Sequence, residues 1–573
     1  LSVAGIYDHR DGIVTDPLTG LKYNNRDNTS VRSILRLKPA DRLEIQIAGD
    51  YTHQRTAPTL GYATADLVGF NYNSTFTAAT PFIIQSAPTA RYNYQASTSL
   101  KPGQGQRLNH WGVSGTATYD LTPALSLVSI TAYRKLRTDY YVDIDATTAQ
   151  LGDVFVGTFQ RQFSQELQLK VDMAKLKGVF GLYYLDEQVN SHQEAYANSY
   201  LQYVGTPLNF IRYIDDKQNT KSYAAFGQFT YSFTPKLSLT AGLRYTSETK
   251  RYFRTTTPIT SSSIYPITIT STFVFPNSLP APYNGYDHAT FRAWTPSATL
   301  SYKPTDNTML YASASRGFKS GGFNGRVNGL SDVTLSVNGT TQVVPTFKPE
   351  TVWTYEGGAK ATFLNGRVQL SGDVFYSDYR DFQARVGGGN TGITGGSFPV
   401  INAGKLRIWG IEYEASVRPT DALTVGLSVG YLNAKYLEFN DGRRAPSFSC
   451  NPTGTQITCQ PAFAPPLTLR LSGDYRIPVT TRAQLTLGGD LRFVGKQWLS
   501  VDNRAGLMEP GYWLGNLYAQ VDFDRRFYLR GMVKNVTNSL YKTDGQEFSS
   551  VGNIQTVYYG DPRTWNLTVG ARF

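Results

Sequence analysis

Hydrophobic and polar residues alternate one by one along much of the chain. Between 237 and 245 the odd-numbered residues are Leu, Leu, Ala, Leu and Tyr, and the residues between them are Ser, Thr, Gly and Arg. The same alternation occurs over 43–51 and over 565–573. Successive side chains of a β-strand point to opposite faces. The pattern therefore predicts strands with one apolar face and one polar face.

The connections between the predicted strands alternate between short and long. The short ones are turn-forming stretches at 38–42, 120–123, 173–177, 233–236, 303–306, 364–367, 418–421, 477–481 and 522–525. The long ones are polar or glycine-rich and lie near 10–29, 56–104, 144–157, 193–218, 250–288, 322–348, 384–399, 438–464, 500–512 and 540–558. This regularity predicts about twenty up-and-down antiparallel strands, starting at Leu1, with turns at one end and loops at the other.

Composition narrows the class of protein. Tyrosine (39) and phenylalanine (30) are abundant and methionine (4) is scarce, which favours strands. No stretch reaches the roughly 18 to 20 apolar residues that a membrane helix needs, so an α-helical membrane protein is excluded. A propeller or β-helix would show a fixed repeat length. We therefore expect an all-β fold, a transmembrane antiparallel up-and-down β-barrel.

The formal net charge of +12 could suggest a nucleic-acid ligand. Lysine and arginine are instead scattered along the chain, with no basic stripe and no nucleic-acid motif. We expect no nucleic-acid partner. The charge predicts a lumen and loops that mildly favour anions.

Several blocks resemble one family of proteins. They occur in order at 163–169, 222–228, 241–245, 311–324, 347–350, 355–358, 410–414, 534–538 and 560–563. Together they resemble the TonB-dependent outer-membrane receptors of the iron-complex type, over essentially the whole chain. The resemblance implies a 22-stranded barrel around an N-terminal plug. Leu1 then corresponds to about the third strand, and we expect the plug, the coupling box and the first two strands to be absent from this chain.

The resemblance also implies a function and partners. It implies active uptake of a scarce ligand, by preference a ferric siderophore, driven by the TonB–ExbB–ExbD complex. Implied partners are outer-membrane lipid, lipopolysaccharide and the barrel-assembly machinery, which would read the terminal Phe573. No resident cofactor is expected, because iron would be part of the cargo. A plugless passive pore and a binding or structural subunit stay open, as do cobalamin, saccharide and aromatic ligands.

In such receptors, aromatic and basic side chains of the loops and upper lumen bind the ligand. The candidates are Arg91, Tyr92, Tyr94, Tyr200, Tyr203, Arg212, Tyr213, Phe318, Lys319, Phe323, Arg326, Tyr376, Tyr379, Arg380, Phe382 and Trp498. Each has a competing structural interpretation, either as an interfacial aromatic or as an arginine paired with a carboxylate. For the block 317–324, a structural role of the glycines is favoured.

The cysteines, the histidines and the search for catalytic motifs change the predicted fold and function little. Cys450 and Cys459 lie close together in a polar segment and predict a small disulfide-closed loop, with two free thiols as the alternative. The five histidines show no metal-ligand spacing, and we expect no metal site. The glycine run 387–389 lacks the lysine of a phosphate loop. We expect no enzymatic activity.

Overall fold

The structure, a computed structural model, describes most of the chain. The described residues are 1–75, 77–198, 200–261, 268–269, 271–325, 328–337, 340–385, 400–439, 460–524, 526–549 and 551–571.

Twenty long strands, which we call the wall strands, dominate the described residues. They are β1 (Ser2–Arg10), β2 (Arg26–Ala40), β3 (Leu43–Arg55), β4 (Arg107–Thr122), β5 (Leu125–Val142), β6 (Leu151–Asp172), β7 (Leu176–Ala197), β8 (Thr206–Thr234), β9 (Leu237–Ser261), β10 (His288–Thr305), β11 (Thr308–Lys319), β12 (Glu350–Phe363), β13 (Val368–Arg385), β14 (Val400–Val417), β15 (Leu423–Phe439), β16 (Leu467–Pro478), β17 (Ala483–Val494), β18 (Tyr512–Phe523), β19 (Phe527–Lys534) and β20 (Thr564–Ala571).

Each wall strand pairs antiparallel with the next one along the chain, from β1 to β20. The predicted number of strands and the up-and-down order are confirmed. Each predicted short turn that lies wholly within the described residues joins two wall strands, and these turns lie at the same end. β1 and β20 are the edges of this meander, and no pairing between them occurs among the described residues.

Three of the predicted loops are shorter than expected, because β6 to β9 are long. Residues 151–157, 193–197, 206–218 and 250–261 are strand, although their sequence lacks a sustained alternation of apolar and polar residues. For example, Lys217 pairs with Asn190 on one side and with Phe253 on the other. A hairpin that continues beyond the membrane meets water on both faces, so it loses its apolar alternation and keeps its backbone pairing.

The apolar face of the wall strands points outward. One row of cross-strand neighbours runs Leu167, Leu182, Ala225, Tyr245 and Trp294. In this row Leu182 is 50% exposed and Trp294 is 54% exposed. Moving such a side chain from water into lipid is favourable by roughly 1.5 to 3 kcal/mol. The exposed row is therefore the surface that the bilayer covers.

The polar face lines the interior of the wall. Arg134 of β5 contacts Asp50 of β3 at 2.5 Å, across the intervening β4. The Tyr311 hydroxyl donates to Glu356 at 2.5 Å. The Arg244 guanidinium lies over the ring of Tyr183 at 5.4 Å. Charged and polar side chains of this kind must be hydrated or paired with one another, so they are typical of an aqueous lumen.

The long connections at the Arg10 end of β1 form a folded layer, here called the loop layer. Its short strands are Val14–Thr15, Lys22–Tyr23, Tyr62–Ala63, Leu67–Tyr72, Ala79–Gln85, Leu201–Tyr203, Thr268–Ile269, Phe273–Phe275, Gly322–Phe323, Thr334–Val337, Thr340–Val343, Thr346–Phe347, Gln497–Trp498, Met508–Glu509, Lys542–Phe548 and Ile554–Tyr559. Its 3-10 helices are Pro102–Gln104, Leu330–Val333 and Ala505–Leu507. Within the ranges described, no helix is long and apolar enough to span a membrane.

Buried hydrophobic clusters occur in the loop layer and at the adjoining strand ends. One contains Tyr252, Phe275 and Phe323, and another contains Leu67, Leu151 and Ile554. The wall thus presents apolar side chains to lipid, while the loop layer has an ordinary core that excludes water.

Candidate functional site in the loop layer

Connections from the two ends of the chain interlock in the loop layer. Tyr62–Ala63 pairs antiparallel with Ile554–Tyr559. Arg10 and Arg26 both contact Asp561, at 2.6 and 3.0 Å. The segments that follow β1 and precede β20 are therefore held together without a hydrogen-bonded ladder between those two strands.

An aromatic cluster fills this junction. The rings of Tyr92 and Tyr559 stack at 4.2 Å with 8° between their planes, and Tyr62 meets Tyr92 edge-on at 5.1 Å. The Tyr94 hydroxyl donates to the Gly560 carbonyl at 3.0 Å. Burial raises the pKa of Tyr94 to about 12 and that of Tyr92 further. Tyr92 is 7% exposed, so its ring serves packing in this conformation.

A second cluster, here called the arginine site, is centred on Arg254 of β9. Its Nη1 atom contacts both carboxylate oxygens of Asp216 at 2.8 and 3.0 Å, and it also donates to the Gly325 carbonyl at 2.8 Å. The Tyr252 hydroxyl donates to Asp216 at 2.6 Å. Arg254 is 3% exposed. A buried guanidinium with this many acceptors ties the connection after β11 to the wall.

The glycine-rich block 317–324 packs against the arginine site. Phe323 is buried and stacks on Tyr252 with ring centres 5.7 Å apart. A Cβ atom at Gly321 would lie 2.4 Å from the Phe291 ring and 2.5 Å from the Phe347 carbonyl oxygen. Close approach of neighbouring groups thus explains this glycine. The geometry supports the structural role that the sequence favours for the block.

Arg212 of β8 lies beside the arginine site, and Tyr213, the next residue of the strand, faces His192. The Arg212 guanidinium lies over the Phe210 ring at 5.2 Å. Burial lowers the pKa of Arg212 to about 10, against an opposing effect of Asp332. Tyr213 lies with its ring 6.4 Å from that of His192. His192 Nδ1 is 2.9 Å from Asp215, and this hydrogen bond raises the pKa of the histidine.

The remaining candidates divide between exposed and packed positions. Arg91, Lys319 and Arg380 are exposed. Tyr376 is exposed on the outward face, in register with Tyr355. The others that the structure places are partly buried or packed against neighbouring side chains: Tyr200, Tyr203, Phe318, Tyr379, Phe382 and Trp498. Arg326, Cys450, Cys459 and Phe573 lie outside the described residues. Ligand binding by the candidate residues remains a prediction. So do the disulfide between Cys450 and Cys459 and the assembly signal at Phe573.

Three aspartates form a cluster that the sequence analysis did not single out. Asp143 and Asp145 lie in the connection after β5, and Asp153 lies at the start of β6. One carboxylate oxygen from each lies within 4.8 Å of the other two. The side chains are almost fully buried, at 2%, 0% and 1% exposure in the same order. The Asp-x-Asp spacing of Asp143 and Asp145 is the sequence signal that could have indicated the cluster. Only the fold brings Asp153 next to them.

Hydroxyl and amide donors hold these carboxylates. Thr98 donates to Asp143 at 2.7 Å, and the Ala146 amide donates to the other oxygen of Asp143 at 2.7 Å. Ser99 donates to Asp153, and Thr147 donates to Asp145. Asp153 Oδ1 is buried and has no hydrogen-bond partner among the described residues.

Burial and mutual repulsion disfavour the charged forms of this cluster. They raise the pKa of Asp143 to about 7, and burial raises that of Asp153 to about 6, while the pKa of Asp145 is also raised. Two full charges at such a separation repel by roughly 3 to 4 kcal/mol at an effective dielectric constant of about 20. No Lys, Arg or His of the described residues forms an ion pair with the three aspartates.

The chain is similar to known outer-membrane proteins in sequence and in fold. The family described as "TonB dependent receptor-like, beta-barrel" matches residues 9–536. A probable TonB-dependent siderophore receptor, PiuA of Acinetobacter baumannii, is 22% identical over 260 residues. That alignment covers 45% of this chain and 31% of the relative, less than two thirds of its length.

Two solved structures share the fold. The ferric yersiniabactin uptake receptor FyuA from Yersinia pestis superimposes with a TM-score of 0.71 at 17% identity, covering 100% of this chain and 75% of that one. The siderophore receptor PiuA from Acinetobacter baumannii superimposes with a TM-score of 0.67 at 15% identity, covering 99% and 77%.

Proposed function

The chain belongs to the TonB-dependent receptor family by its β-barrel, and from that premise we propose that the protein takes up a ferric siderophore across the outer membrane by active transport. The observation that carries the proposal is the family match over residues 9–536. The relatives named for siderophore uptake support the class of cargo. TonB–ExbB–ExbD is the proposed source of energy.

The loop layer supports capture of an anionic ligand. Exposed Arg91, Lys319 and Arg380 supply positive charge, and the formal net charge of the chain is +12. Ferric chelates that carry carboxylate or catecholate groups are attracted by such side chains, and exposed aromatic rings offer contact area. The same chemistry favours a chelate over a neutral saccharide.

The proposal includes no catalytic step and no resident cofactor. Members of this family are transporters of the outer membrane, and iron would enter and leave as part of the cargo. The outward apolar face is the proposed contact with lipid and lipopolysaccharide, and the barrel-assembly machinery is the proposed insertion partner.

A deletion strain grown under iron limitation tests the cargo. We expect loss of radioactive-iron uptake when the matching ferric siderophore is the only iron source, and recovery when the gene is supplied again. Growth on free iron salts is the control. Unchanged uptake of every ferric siderophore supplied would contradict the assignment of cargo and leave family membership intact.

A passive pore is tested by energy dependence. Active transport predicts that uptake stops in cells treated with a protonophore and in cells lacking the energy-coupling complex. A pore predicts uptake that continues in both, together with large open conductance of the purified protein in planar bilayers.

The exposed basic residues are tested one at a time. Lys319→Ala and Arg91→Ala should weaken binding of an anionic ferric chelate by about tenfold or less, as expected for loss of one charge-assisted contact. Thermal stability should not change, because both side chains are exposed. Lys175→Ala, at a short turn on the opposite end of the wall, is the matched control. Equal effects of all three substitutions would argue against a binding role.

A further inference from the structure

The three-aspartate cluster lies where the connections after β3 and β5 meet the connection that precedes β20. Thr98 and Ser99 approach it from the connection after β3, and Asp143 to Asp153 supply the carboxylates. The Thr556 hydroxyl donates to the Ile144 carbonyl at 2.6 Å, between two of the aspartates. Whatever holds the three carboxylates together therefore also fixes three segments that are distant in sequence.

We infer that Asp143, Asp145 and Asp153 form a binding site for one calcium ion, which fastens these segments of the loop layer to one another. This inference does not depend on the identity of the cargo.

The donor set points to a hard cation. All three ligands are carboxylates, the neighbouring side-chain donors are hydroxyls, and no histidine or cysteine belongs to the cluster. Calcium takes six to eight oxygen ligands at about 2.3 to 2.6 Å, so ligands on opposite sides of it lie about 4.6 to 5.2 Å apart. The carboxylate oxygens lie within 4.8 Å of one another, close enough for one calcium ion to contact all three. Magnesium requires ligands at about 2.0 to 2.1 Å in a stricter octahedron.

Asp153 gives an independent sign of a missing ligand. Its Oδ2 atom accepts a hydrogen bond from Ser99, but its Oδ1 atom is buried and without a partner in the described chain. Buried polar atoms are nearly always paired. A cation at the centre of the cluster would satisfy this atom and supply the charge that the described basic residues do not.

Calcium titration of the purified protein in detergent, after treatment with a chelator, tests the inference. We expect one calcium per chain by calorimetry, and magnesium binding weaker by roughly tenfold or more because of its shorter bonds. Terbium should bind in place of calcium and luminesce, because the ring of Tyr558 lies close enough to interact with Asp143 and Asp145. Failure of calcium and terbium to bind would overturn the inference.

Two matched variants locate the site. Asp153→Asn should abolish binding. Asp16→Asn should leave it intact, because Asp16 is equally buried at 2% exposure but accepts hydrogen bonds from Thr19 and Leu18 in a different connection. Barrel folding of each variant is checked by its heat-dependent mobility in gels. Wild-type binding by Asp153→Asn, or loss of binding by both variants, would overturn the inference.

Proteolysis tests the fastening of the loops. Arg91 is exposed in the connection that carries Thr98 and Ser99, and trypsin can cleave after it. Calcium at ten times its Kd should lower the open population, and the cleavage rate with it, by about tenfold. The rate in Asp153→Asn should not respond to calcium. A wild-type rate that is also insensitive would exclude the fastening role.

Discussion

The negative charge of two acidic sites in the loop layer is neutralised in different ways. At the arginine site, Asp216 meets the guanidinium of Arg254 at 2.8 Å and the hydroxyl of Tyr252 at 2.6 Å. At the three-aspartate cluster, three carboxylates share one buried space, and only hydroxyl and amide groups donate to them. The first site is complete within the chain. The second requires protons or a cation from the solvent.

The difference shows how a loop layer can be either permanently or conditionally rigid. The Arg254–Asp216 pair is always present, so the connection after β11 is fixed whenever the protein is folded. The junction of the connections after β3 and β5 with the connection that precedes β20 is fastened in full only when the aspartates are neutralised. Two acidic sites of the same layer can therefore respond oppositely to the same substitution.

The largest expected effect is at the arginine site. Arg254→Met should destabilise the loop layer by about 3 to 5 kcal/mol, because it leaves a buried carboxylate without a counter-charge. Chemical denaturation and trypsin sensitivity of the connection after β11 measure it. The double variant Arg254→Met with Asp216→Leu should recover much of the loss. A double variant as unstable as the single one would show that the charge is not the cause.

A smaller loss is expected when one hydrogen bond to the same carboxylate is removed. Tyr252→Phe keeps the ring that packs on Phe323 and Phe275, and should cost about 1.5 to 3 kcal/mol, as for hydrogen bonds to charged groups. Tyr286→Phe, which alters an exposed tyrosine beside Phe323, is the control and should be neutral within about 0.5 kcal/mol. Similar losses in both variants would refute the role of the hydroxyl.

The sign of the effect should reverse at the three-aspartate cluster. In buffer with a chelator, Asp145→Asn should stabilise the protein by about 1 to 2 kcal/mol, because it removes repulsion between buried charges. Asp216→Asn under the same conditions should destabilise it. Thermal unfolding with and without chelator measures both. Destabilisation of equal size at the two sites would mean that the aspartates are not in mutual conflict.

The smallest effect concerns His192, which lies between Asp215 and Glu194 and beside the ring of Tyr213. Its pKa is raised by the hydrogen bond to Asp215. The resulting stabilisation is fully present below the ordinary histidine pKa of about 6.5 and is lost as the pH rises through the higher folded value. Because the side chain is 43% exposed, less than about 1 kcal/mol is expected. The protection factors of amide hydrogens in the β7–β8 hairpin, which correct for the intrinsic pH dependence of exchange, should rise on acidification, and His192→Gln should remove that rise.

The wall could be predicted from the sequence in some detail, and the ends of its strands could not. Alternation over 237–245 places Leu243 outward and Arg244 inward, and the structure agrees. The continuation of β9 to Ser261 was missed, because its extension in water carries no alternation of polarity. Strand extent there depends on pairing with β8, a long-range property of the fold.

The candidate sites show the same division. Tyr92, Arg212 and Phe323 are identified by residue type, but only the fold shows that Tyr92 stacks on Tyr559 and that Phe323 packs on Tyr252. The sequence predicts Asp153 in the same loop as Asp145, within 144–157, but nothing in the local sequence indicates that its carboxylate meets the other two. Its place beside Asp143 and Asp145 arises because β6 returns antiparallel to β5 across one connection.

The amino-acid order alone determined the number of wall strands, their antiparallel succession and which side chains meet lipid, because a strand exposes alternate residues to two solvents and each segment records that locally. Tertiary structure decided how connections about 490 residues apart interlock, which aromatic rings are buried, and where three like charges converge. The first two outcomes depend on contacts between segments distant in sequence, and the third depends on how β6 returns along β5. No local pattern of polarity encodes any of them.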